Sequence, residues 1–412
     1  MNDTFQIFEH QALYTNRGNN ELRLTQQQLG LLEQFYGDGN DFPYYSLVNK
    51  GIKFRQYVGV LKIGNTTIEV LPKAGKIDNK ETWQNRLIEM LKAVGMFNIH
   101  APSSSNLNIK QNSILDLYFE LFITEIEYLL HRGLIKKYNK KEGNQLALKG
   151  KIKFNKHIQQ NLIHQERFYI AYTNYDINHK LHAILYKTLL VLRRINLNPS
   201  LISKIGKILL DFPPMPNIKV TPVLFEKIVY NRKNTSYKTA IDIAQLILLN
   251  YHPNITQGNN HVLALMFDMN LLWEQFVAVS LQKNNSFKIS TQSSKNFWKP
   301  SKGYASRLRP DIIIELDKKK YVLDTKWKNL YNTNPSSNDL RQMFAYLHYF
   351  DAKKAALVYP SYASNTHTGH YYDTKGNINQ NCSVLAITTE QKIRSWQKAI
   401  CLQIEHWITE PN

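Results

Sequence analysis

The stretch RLRPDIIIELDKKKYVLDTKWK, Arg307–Lys328, has the pattern of two short strands joined by a turn. Apolar runs rich in Ile and Val lie on both sides of a polar turn, which is typical of a hairpin. Antiparallel pairing about residues 317–320 places Asp311 opposite Asp324 and its neighbours, and side-chain alternation places Asp324 and Lys326 on one face. The sequence therefore predicts that three charged groups converge on a sheet that is otherwise apolar.

A bound metal ion would explain this convergence. Burying these charges without partners would cost several kcal/mol each. Two carboxylates close together, with a backbone carbonyl nearby, suit Mg²⁺, for which Mn²⁺ is a substitute. We therefore predict a metal site formed by Asp311, Asp324 and Thr325. Lys326, beside it, is placed to orient or deprotonate a water molecule.

Two neighbouring helices supply further candidates. Glu274, in LLWEQFV, is predicted to add a third carboxylate, and Gln342 and Tyr346, in LRQMFAY, lie at i and i+4 on one helix face. Metal-assisted attack of water on a phosphodiester needs such a set of groups. The alternative is an ordinary hairpin that carries surface charges.

The charge of the chain indicates a polyanionic partner. Its 412 residues include 52 Lys and Arg but 32 Asp and Glu, a net charge of +20. Residues 131–156 contain one Arg and eight Lys but a single Glu, whereas a solvated face normally mixes both signs. The predicted DNA-binding residues are Arg307, Arg309, Lys136, Lys137, Lys140 and Lys141.

Several classes of protein and site do not fit the sequence. It has no apolar run of roughly 18 residues, so no membrane span is expected, and its first residues do not read as a signal peptide. Two cysteines exclude a disulfide scaffold and a four-cysteine zinc site, and we expect a cytoplasmic protein. Each Gly-Lys pair precedes Ile rather than Ser or Thr, so we expect no phosphate-binding loop.

The order of elements predicts an α+β multidomain protein. We expect a β-rich domain over residues 1–110, a mostly helical basic domain over 111–255 and an α/β domain over 256–412. The last of these is predicted to begin with a helix over 263–283. HTGH, His367–His370, is expected to lie in a polar loop, and the pair His179 and His182 at a surface or interface.

The hairpin and its surroundings resemble a known family. Pro310-Asp311…Asp324-Thr325-Lys326 is similar to the signature of the PD-(D/E)xK nuclease superfamily. FDMNLLWEQFV and RQMFAY resemble the nuclease domain of the McrC family, the endonuclease subunit of McrBC-type 5-methylcytosine restriction systems. YVGVLKIGNTTIEVLPKAGK and ALKGKIKFNKHIQQN resemble the amino-terminal and middle regions of that family.

The resemblance implies a fold and an activity. The last domain would be a PD-(D/E)xK restriction-endonuclease-like α/β domain, with Asp311 and Asp324 as metal ligands and Lys326 as the catalytic lysine. Glu274 and Gln342 would be catalytic residues on helices. The chain would then be a Mg²⁺-dependent DNA endonuclease subunit that cuts double-stranded, modified DNA.

The resemblance also implies partners. These would be an McrB-like AAA+ GTPase hexamer, whose GTPase the chain would stimulate, and a second nuclease domain that pairs transiently for double-strand cleavage. We expect residues 1–110 to dock on the GTPase, and we expect no membrane partner. The alternatives are a stand-alone PD-(D/E)xK repair or phage-defence nuclease, and a non-catalytic DNA-binding activator of a motor.

Overall fold

The computed structural model describes ten segments of the chain, residues 3–16, 23–37, 42–73, 79–95, 114–252, 261–283, 287–328, 334–361, 363–389 and 392–410. The chain forms two compact units, one of residues 1–98 and 252–412 and the other of residues 99–251. The linker expected at 101–108 lies outside the described residues.

Short strands dominate the amino-terminal part of the first unit. Its elements are β1 (Asp3–Phe8), β2 (Ala12–Tyr14), α1 (Gln26–Tyr36), β3 (Tyr45–Val48), β4 (Gly51–Phe54), β5 (Tyr57–Ile63), β6 (Thr66–Leu71) and α2 (Lys80–Ala93).

The second unit combines helices with a small sheet. Its elements are α3 (Ile114–Arg132), β7 (Lys137–Gln145), β8 (Lys151–Ile152), α4 (Phe154–Asn161), β9 (Phe168–Asp176), α5 (Lys180–Ile195), α6 (Pro199–Asp211), α7 (Pro222–Glu226), a 3₁₀ turn (Thr235–Tyr237) and α8 (Lys238–Leu249). The chain returns to the first unit at β10 (Tyr251–His252).

The carboxyl-terminal part completes the first unit. Its elements are β11 (Val262–Asp268), α9 (Met269–Gln282), β12 (Lys288–Thr291), β13 (Lys295–Trp298), β14 (Ser306–Leu308), β15 (Ile312–Leu316), β16 (Lys319–Thr325), α10 (Ser337–Phe350), β17 (Ala352–Ser361), β18 (Asn365–Tyr372), β19 (Ile378–Thr388) and α11 (Ile393–Thr409).

One sheet of the first unit joins distant parts of the sequence. β1 pairs in parallel with β6, β6 pairs with β5, and β5 pairs antiparallel with β11. Gly59 has φ +132°, and a Cβ there would collide with the Leu265 carbonyl oxygen. The predicted domains 1–110 and 256–412 therefore share this sheet, whose apolar side chains form one core.

The helix expected over 263–283 is wrong in its first third. Residues 262–268 form β11, and α9 begins only at Met269. The Asp268 side chain accepts hydrogen bonds from the backbone N–H groups of Asn270 and Leu271, which fixes the start of the helix. The preceding apolar run suits a buried strand as well as a helix, and pairing with β5 decides between them.

A second sheet of the first unit carries the hairpin. Its six described strands have the order β12-β15-β16-β17-β19-β18. The pairs β16–β17 and β17–β19 are parallel, and the others are antiparallel. On one face, α10 packs through Met343, Tyr346 and Leu347. α9 and α11 pack together through Trp273 and Trp396, and the Trp273 indole N–H donates to the Val358 carbonyl of β17.

In the second unit, α3, α5, α6 and α8 pack together, and β9 pairs antiparallel with both β7 and β8. The domain predicted over 111–255 as mostly helical thus also contains a three-stranded sheet. His182 is buried rather than at a surface: its Nδ1 lies 2.6 Å from the Ile177 carbonyl and its Nε2 3.0 Å from the Tyr237 hydroxyl. The same hydroxyl accepts from the Ile135 N–H.

The expectation that HTGH lies in a loop is also wrong. Residues 365–372 form β18, which pairs antiparallel with β19 at the end of the sheet. The strand is mostly exposed and polar, so its sequence lacks the alternation that marks a half-buried strand.

Candidate functional site

The β15–β16 hairpin brings the predicted residues to its open end. Asp317 and Lys318 have φ of +50° and +63°, as a two-residue hairpin turn requires. Ile312 pairs with Leu323, so the preceding Asp311 lies beside Asp324. Asp311 and Asp324 therefore lie next to each other in the structure, as the sequence predicts.

Asp311 is held by Thr325. Its Oδ2 accepts hydrogen bonds from the Thr325 backbone N–H at 2.7 Å and from the Thr325 hydroxyl at 2.9 Å. These two bonds fix the orientation of the carboxylate across the hairpin. The assignment of Thr325 as a metal-contacting residue stays a prediction.

Asp324 and Lys326 form a close ion pair. Asp324 is 2% exposed, and the Lys326 Nζ lies 2.6 Å from its Oδ2. Burial and the charge of Asp311 raise the pKa of Asp324 to about 6. Burial works to lower the pKa of Lys326, but the charge and hydrogen bond of Asp324, together with the charges of Asp311 and Asp339, outweigh it, so that pKa is raised. The alternative of an ordinary surface-charged hairpin does not fit Asp324.

Glu274 lies in the same electrostatic environment. Its side chain is half-buried on α9, and burial together with the charge of Asp311 raises its pKa. Gln292, which follows β12, donates from Nε2 to Glu274 Oε1 at 3.4 Å and accepts from the guanidinium of Arg309. Gln292 has φ +58° and lies in a polar stretch with no recognisable motif, so the sequence did not predict its place here.

The two predicted residues of α10 bind each other. Gln342 Nε2 donates to the Tyr346 hydroxyl at 2.7 Å, and that hydroxyl donates to the Arg309 carbonyl at 2.9 Å. Burial and the charge of Asp324 raise the pKa of Tyr346 to about 12. The pair therefore fastens α10 to the segment before Asp311.

A fourth carboxylate close to the hairpin was not predicted from the sequence either. Asp339, in the first turn of α10, is 13% exposed, and its Oδ2 lies 3.7 Å from the Lys328 Nζ. Its charge contributes to the raised pKa of Asp324. Asp339 also lies in the first turn of α10, where its negative charge interacts favourably with the positive end of the helix dipole. An acidic residue at this position therefore does not require a metal ion.

The donor set fits a hard divalent cation in its chemistry. The charge of Asp311 disfavours ionisation of Asp324, and a divalent cation held by both carboxylates would relieve that repulsion. Mg²⁺ needs only one or two protein carboxylates because water and substrate phosphate complete its shell. Within the described segments, no three His, Cys, Asp or Glu side chains are grouped as metal ligands.

The residue after Lys326 is anchored to the amino-terminal part of the unit. The Trp327 indole N–H donates to Glu9 Oε1 at 2.6 Å, and its ring packs edge-on against Trp83 and Trp273. The Lys326 backbone N–H donates to the Val358 carbonyl at 2.9 Å. Side chains from remote sequence positions thus fix the backbone that carries the candidate lysine.

The predicted DNA-binding residues lie in both units. Arg307 is exposed on β14, and Arg309 is engaged by Gln292. Lys136, Lys137 and Lys140 are exposed, while Lys141 pairs with Asp176 at 3.1 Å. Of these four lysines, Lys141 is thus partly neutralised by a carboxylate, and the other three are exposed.

The fold defines a mixed α/β protein with several sheets and more than one compact unit. None of the helices in the described segments has the length and apolar character needed to cross a bilayer. The family model described as "McrBC 5-methylcytosine restriction system component" matches residues 52–360, three quarters of the chain. The chain belongs to this McrBC family.

Solved structures of McrBC complexes have a fold similar to that of this chain. One is a refined half-complex from a tetradecameric assembly of Thermococcus gammatolerans McrB AAA+ hexamers with bound McrC; the matching chain is 18% identical, with a TM-score of 0.73 over 98% of this chain and 100% of that one. Another is a T. gammatolerans McrBC complex, with 19% identity and a TM-score of 0.52 over 68% of this chain and 87% of that one. No curated protein matches the sequence.

Proposed function

We propose that the chain is the Mg²⁺-dependent endonuclease subunit of a modification-dependent restriction system and cleaves DNA phosphodiesters. The observation that carries this proposal is the buried Asp324 beside Asp311, with the Lys326 ammonium 2.6 Å from its carboxylate. A buried carboxylate with a raised pKa, next to a second carboxylate, is typical of functional sites. The membership of the McrBC family is consistent with a nuclease.

The chemistry would be hydrolysis, in which water adds to phosphorus and the sugar oxygen leaves. When bound between Asp311 and Asp324, Mg²⁺ would polarise the phosphate and lower the pKa of water. The Lys326 ammonium provides positive charge close to the developing negative charge. Thr325 holds Asp311 in place through two hydrogen bonds, and the Gln342–Tyr346 pair fastens α10 beside the site.

The proposal includes a partner. In one of the similar structures, McrC is bound to McrB AAA+ hexamers. We propose that this chain likewise binds an AAA+ partner, and that it stimulates the partner's GTPase. Double-strand cleavage would then need two nuclease domains that pair transiently. The methylated base would be recognised by the partner.

The test is cleavage of methylated and unmethylated plasmid by the full chain, with and without the AAA+ partner and GTP, in Mg²⁺ or EDTA. We expect cleavage only of methylated plasmid, with Mg²⁺, partner and GTP together. Cleavage without the partner would favour the stand-alone nuclease instead. Stimulation of GTP turnover without any cleavage would favour the non-catalytic activator.

Single substitutions test the assignment of the site. Asp311→Ala, Asp324→Ala and Lys326→Ala should each abolish cleavage and leave the chain folded. For the two aspartates, removing one carboxylate also relieves the repulsion between them. Glu315→Ala is the matched control: this carboxylate lies on the same hairpin, pairs with Lys288 at 3.1 Å and should be dispensable. Normal cleavage by any of the three variants would refute the assignment.

A further inference from the structure

The second unit contains a groove whose charge is entirely positive. Its volume is about 910 Å³, and its lining includes seven Lys and Arg residues but no Asp or Glu. Lys136 and Lys137, at the start of β7, form part of one side, and Lys227 and Arg232, beyond α7, form part of another. These four side chains are exposed, and within the described segments none of them forms an ion pair with a carboxylate. The groove therefore presents cations that are free to bind phosphates.

The acidic residue next to the two groove tyrosines' strand ends, Asp176, does not offset this charge. Asp176 follows the groove residue Tyr175 but is taken up by other partners, since it accepts from Asn139 at 2.7 Å and pairs with Lys141 at 3.1 Å. The hydrogen bond from Lys141 also lowers the pKa of Asp176, so the aspartate remains ionised within its own cluster. Lys141 is therefore paired with a carboxylate, whereas, among the described residues, Lys136 and Lys137 line the groove without one.

Two tyrosines stand at the same groove. Tyr138 and Tyr175 are cross-strand partners on β7 and β9, with ring centroids 4.5 Å apart. They remain 70% and 53% exposed. Large aromatic rings are usually buried in a core, whereas exposed rings beside cations are the platforms on which unpaired bases stack.

A polar network of hydrogen bonds joins the elements that surround the groove. The Tyr237 hydroxyl lies 3.0 Å from His182 Nε2 and accepts from the Ile135 N–H at 3.0 Å, which ties α5, the start of β7 and the 3₁₀ turn together. The turn that carries Arg232 is fixed by the Asn231 N–H, which donates to Asn234 Oδ1 at 2.6 Å. The cations are thus presented on an ordered frame rather than on a free loop.

We propose that this groove binds single-stranded nucleic acid, with its lysines and arginines on the phosphates and Tyr138 and Tyr175 against the bases. A single strand is favoured over a duplex because the faces of paired bases are covered by their neighbours and cannot stack on tyrosines. The inference rests on the proposed function only in taking DNA as the ligand. The groove lies in the second unit, whereas Asp324 lies in the first.

The test is fluorescence anisotropy of a labelled 20-nucleotide oligo-dT strand and of a 20-base-pair duplex, with the full-length chain in EDTA. The charge variant Lys227→Glu/Arg232→Glu should weaken strand binding about tenfold or more and reduce the slope of log K against log salt by about 1.4. The stacking variant Tyr138→Ala/Tyr175→Ala should weaken it about tenfold for each lost platform, with little change in slope.

The control variant is Lys207→Glu/Lys219→Glu, which makes the same change in charge at exposed sites of the second unit that do not line the groove. It should bind the strand within about twofold of the unchanged chain. Melting temperatures of all variants check that each is folded. A groove variant that unfolds is replaced by Lys227→Gln/Arg232→Gln, for which the same direction of change is expected.

Three results would overturn the inference. The first is equal strand affinity in the unchanged chain and the charge variant. The second is a preference for the duplex that the tyrosine substitutions leave intact. The third is unchanged strand binding with lost binding to the AAA+ partner, which would make the groove a protein-docking surface. Asp324→Ala separates the two proposals, because it should abolish cleavage and keep strand binding.

Discussion

Replacing Glu9 with Gln should remove a large part of the pH dependence of stability in the first unit. Glu9 is 3% exposed, and its Oε1 accepts from the Trp327 indole N–H at 2.6 Å and from the Lys73 backbone N–H at 2.8 Å. Burial raises the pKa of Glu9 from its ordinary 4.5 to about 7, although both hydrogen bonds act to lower it. A Gln at this position keeps an oxygen for the same two donors and cannot ionise.

The sign of the effect follows from where the proton binds. The folded state holds the Glu9 proton more tightly than the unfolded state, so the stabilisation is complete below pH 4.5 and is lost as the pH rises through 7. A shift from 4.5 to about 7 corresponds to about 3 kcal/mol in the free energy of unfolding. Between pH 5 and pH 8.5, the chain should lose about 2 to 3 kcal/mol that Glu9→Gln retains.

Tryptophan fluorescence during denaturant unfolding measures the free energy of unfolding of the first unit at each pH. Every tryptophan of the chain lies in that unit, in residues 1–98 or 252–412: Trp83, Trp273, Trp298, Trp327, Trp396 and Trp407. Comparing each protein with itself at two pH values cancels any constant difference between the carboxyl and amide hydrogen bonds. Parallel pH profiles for the unchanged chain and Glu9→Gln would refute the reasoning.

Other substitutions test the packing of each unit. Tyr237→Phe should cost about 1 to 3 kcal/mol by leaving buried partners of its hydroxyl unsatisfied, seen by circular dichroism as a lower melting temperature of the second unit. Because burial lowers the pKa of His182, the same unit should lose stability as the pH falls below 6.5, and flat stability from pH 7 to 5 would contradict this. Gly59→Ala should destabilise the first unit by more than about 2 kcal/mol, because the added Cβ would collide with the Leu265 carbonyl oxygen. Gly30→Ala, on α1, meets open space and should stabilise the unit by roughly 0.5 to 1 kcal/mol. Equal effects of the two variants on unfolding followed by tryptophan fluorescence would count against the close approach at Gly59.

The hairpin could be predicted because its determinants are local. Apolar runs of strand length, a polar turn and the alternation of side chains fix which residues face each other, and Asp311 and Asp324 follow from that. The boundary between β11 and α9 could not be predicted in the same way. Its decisive partner, β5, lies about 200 residues away in the sequence, and pattern alone does not reveal such pairing.

The surroundings of the hairpin were predictable only in part. Glu274 and Gln342 lie on helices with clear periodicity, and the structure places both near the hairpin. Gln292 and Glu9 carry no sequence signal, since each depends on a contact between remote segments. Burial of His182 was missed because a polar residue at i, i+3 spacing suits a surface, and its partner Tyr237 is 55 residues away.

The docking of residues 1–110 on the AAA+ partner needs a test that spares the candidate site. Deleting these residues would remove β5 from β11 and Glu9 from Trp327, so lost activity would say nothing about docking. Lys50→Glu/Lys53→Glu changes two exposed side chains on or beside β4 and leaves those contacts in place. If the amino-terminal strands dock, this variant should lower stimulation of the partner's GTP turnover at least several-fold, while Lys392→Glu/Lys398→Glu, with the same change in charge at exposed sites, should not. Full stimulation by the first variant would place the docking surface away from β4.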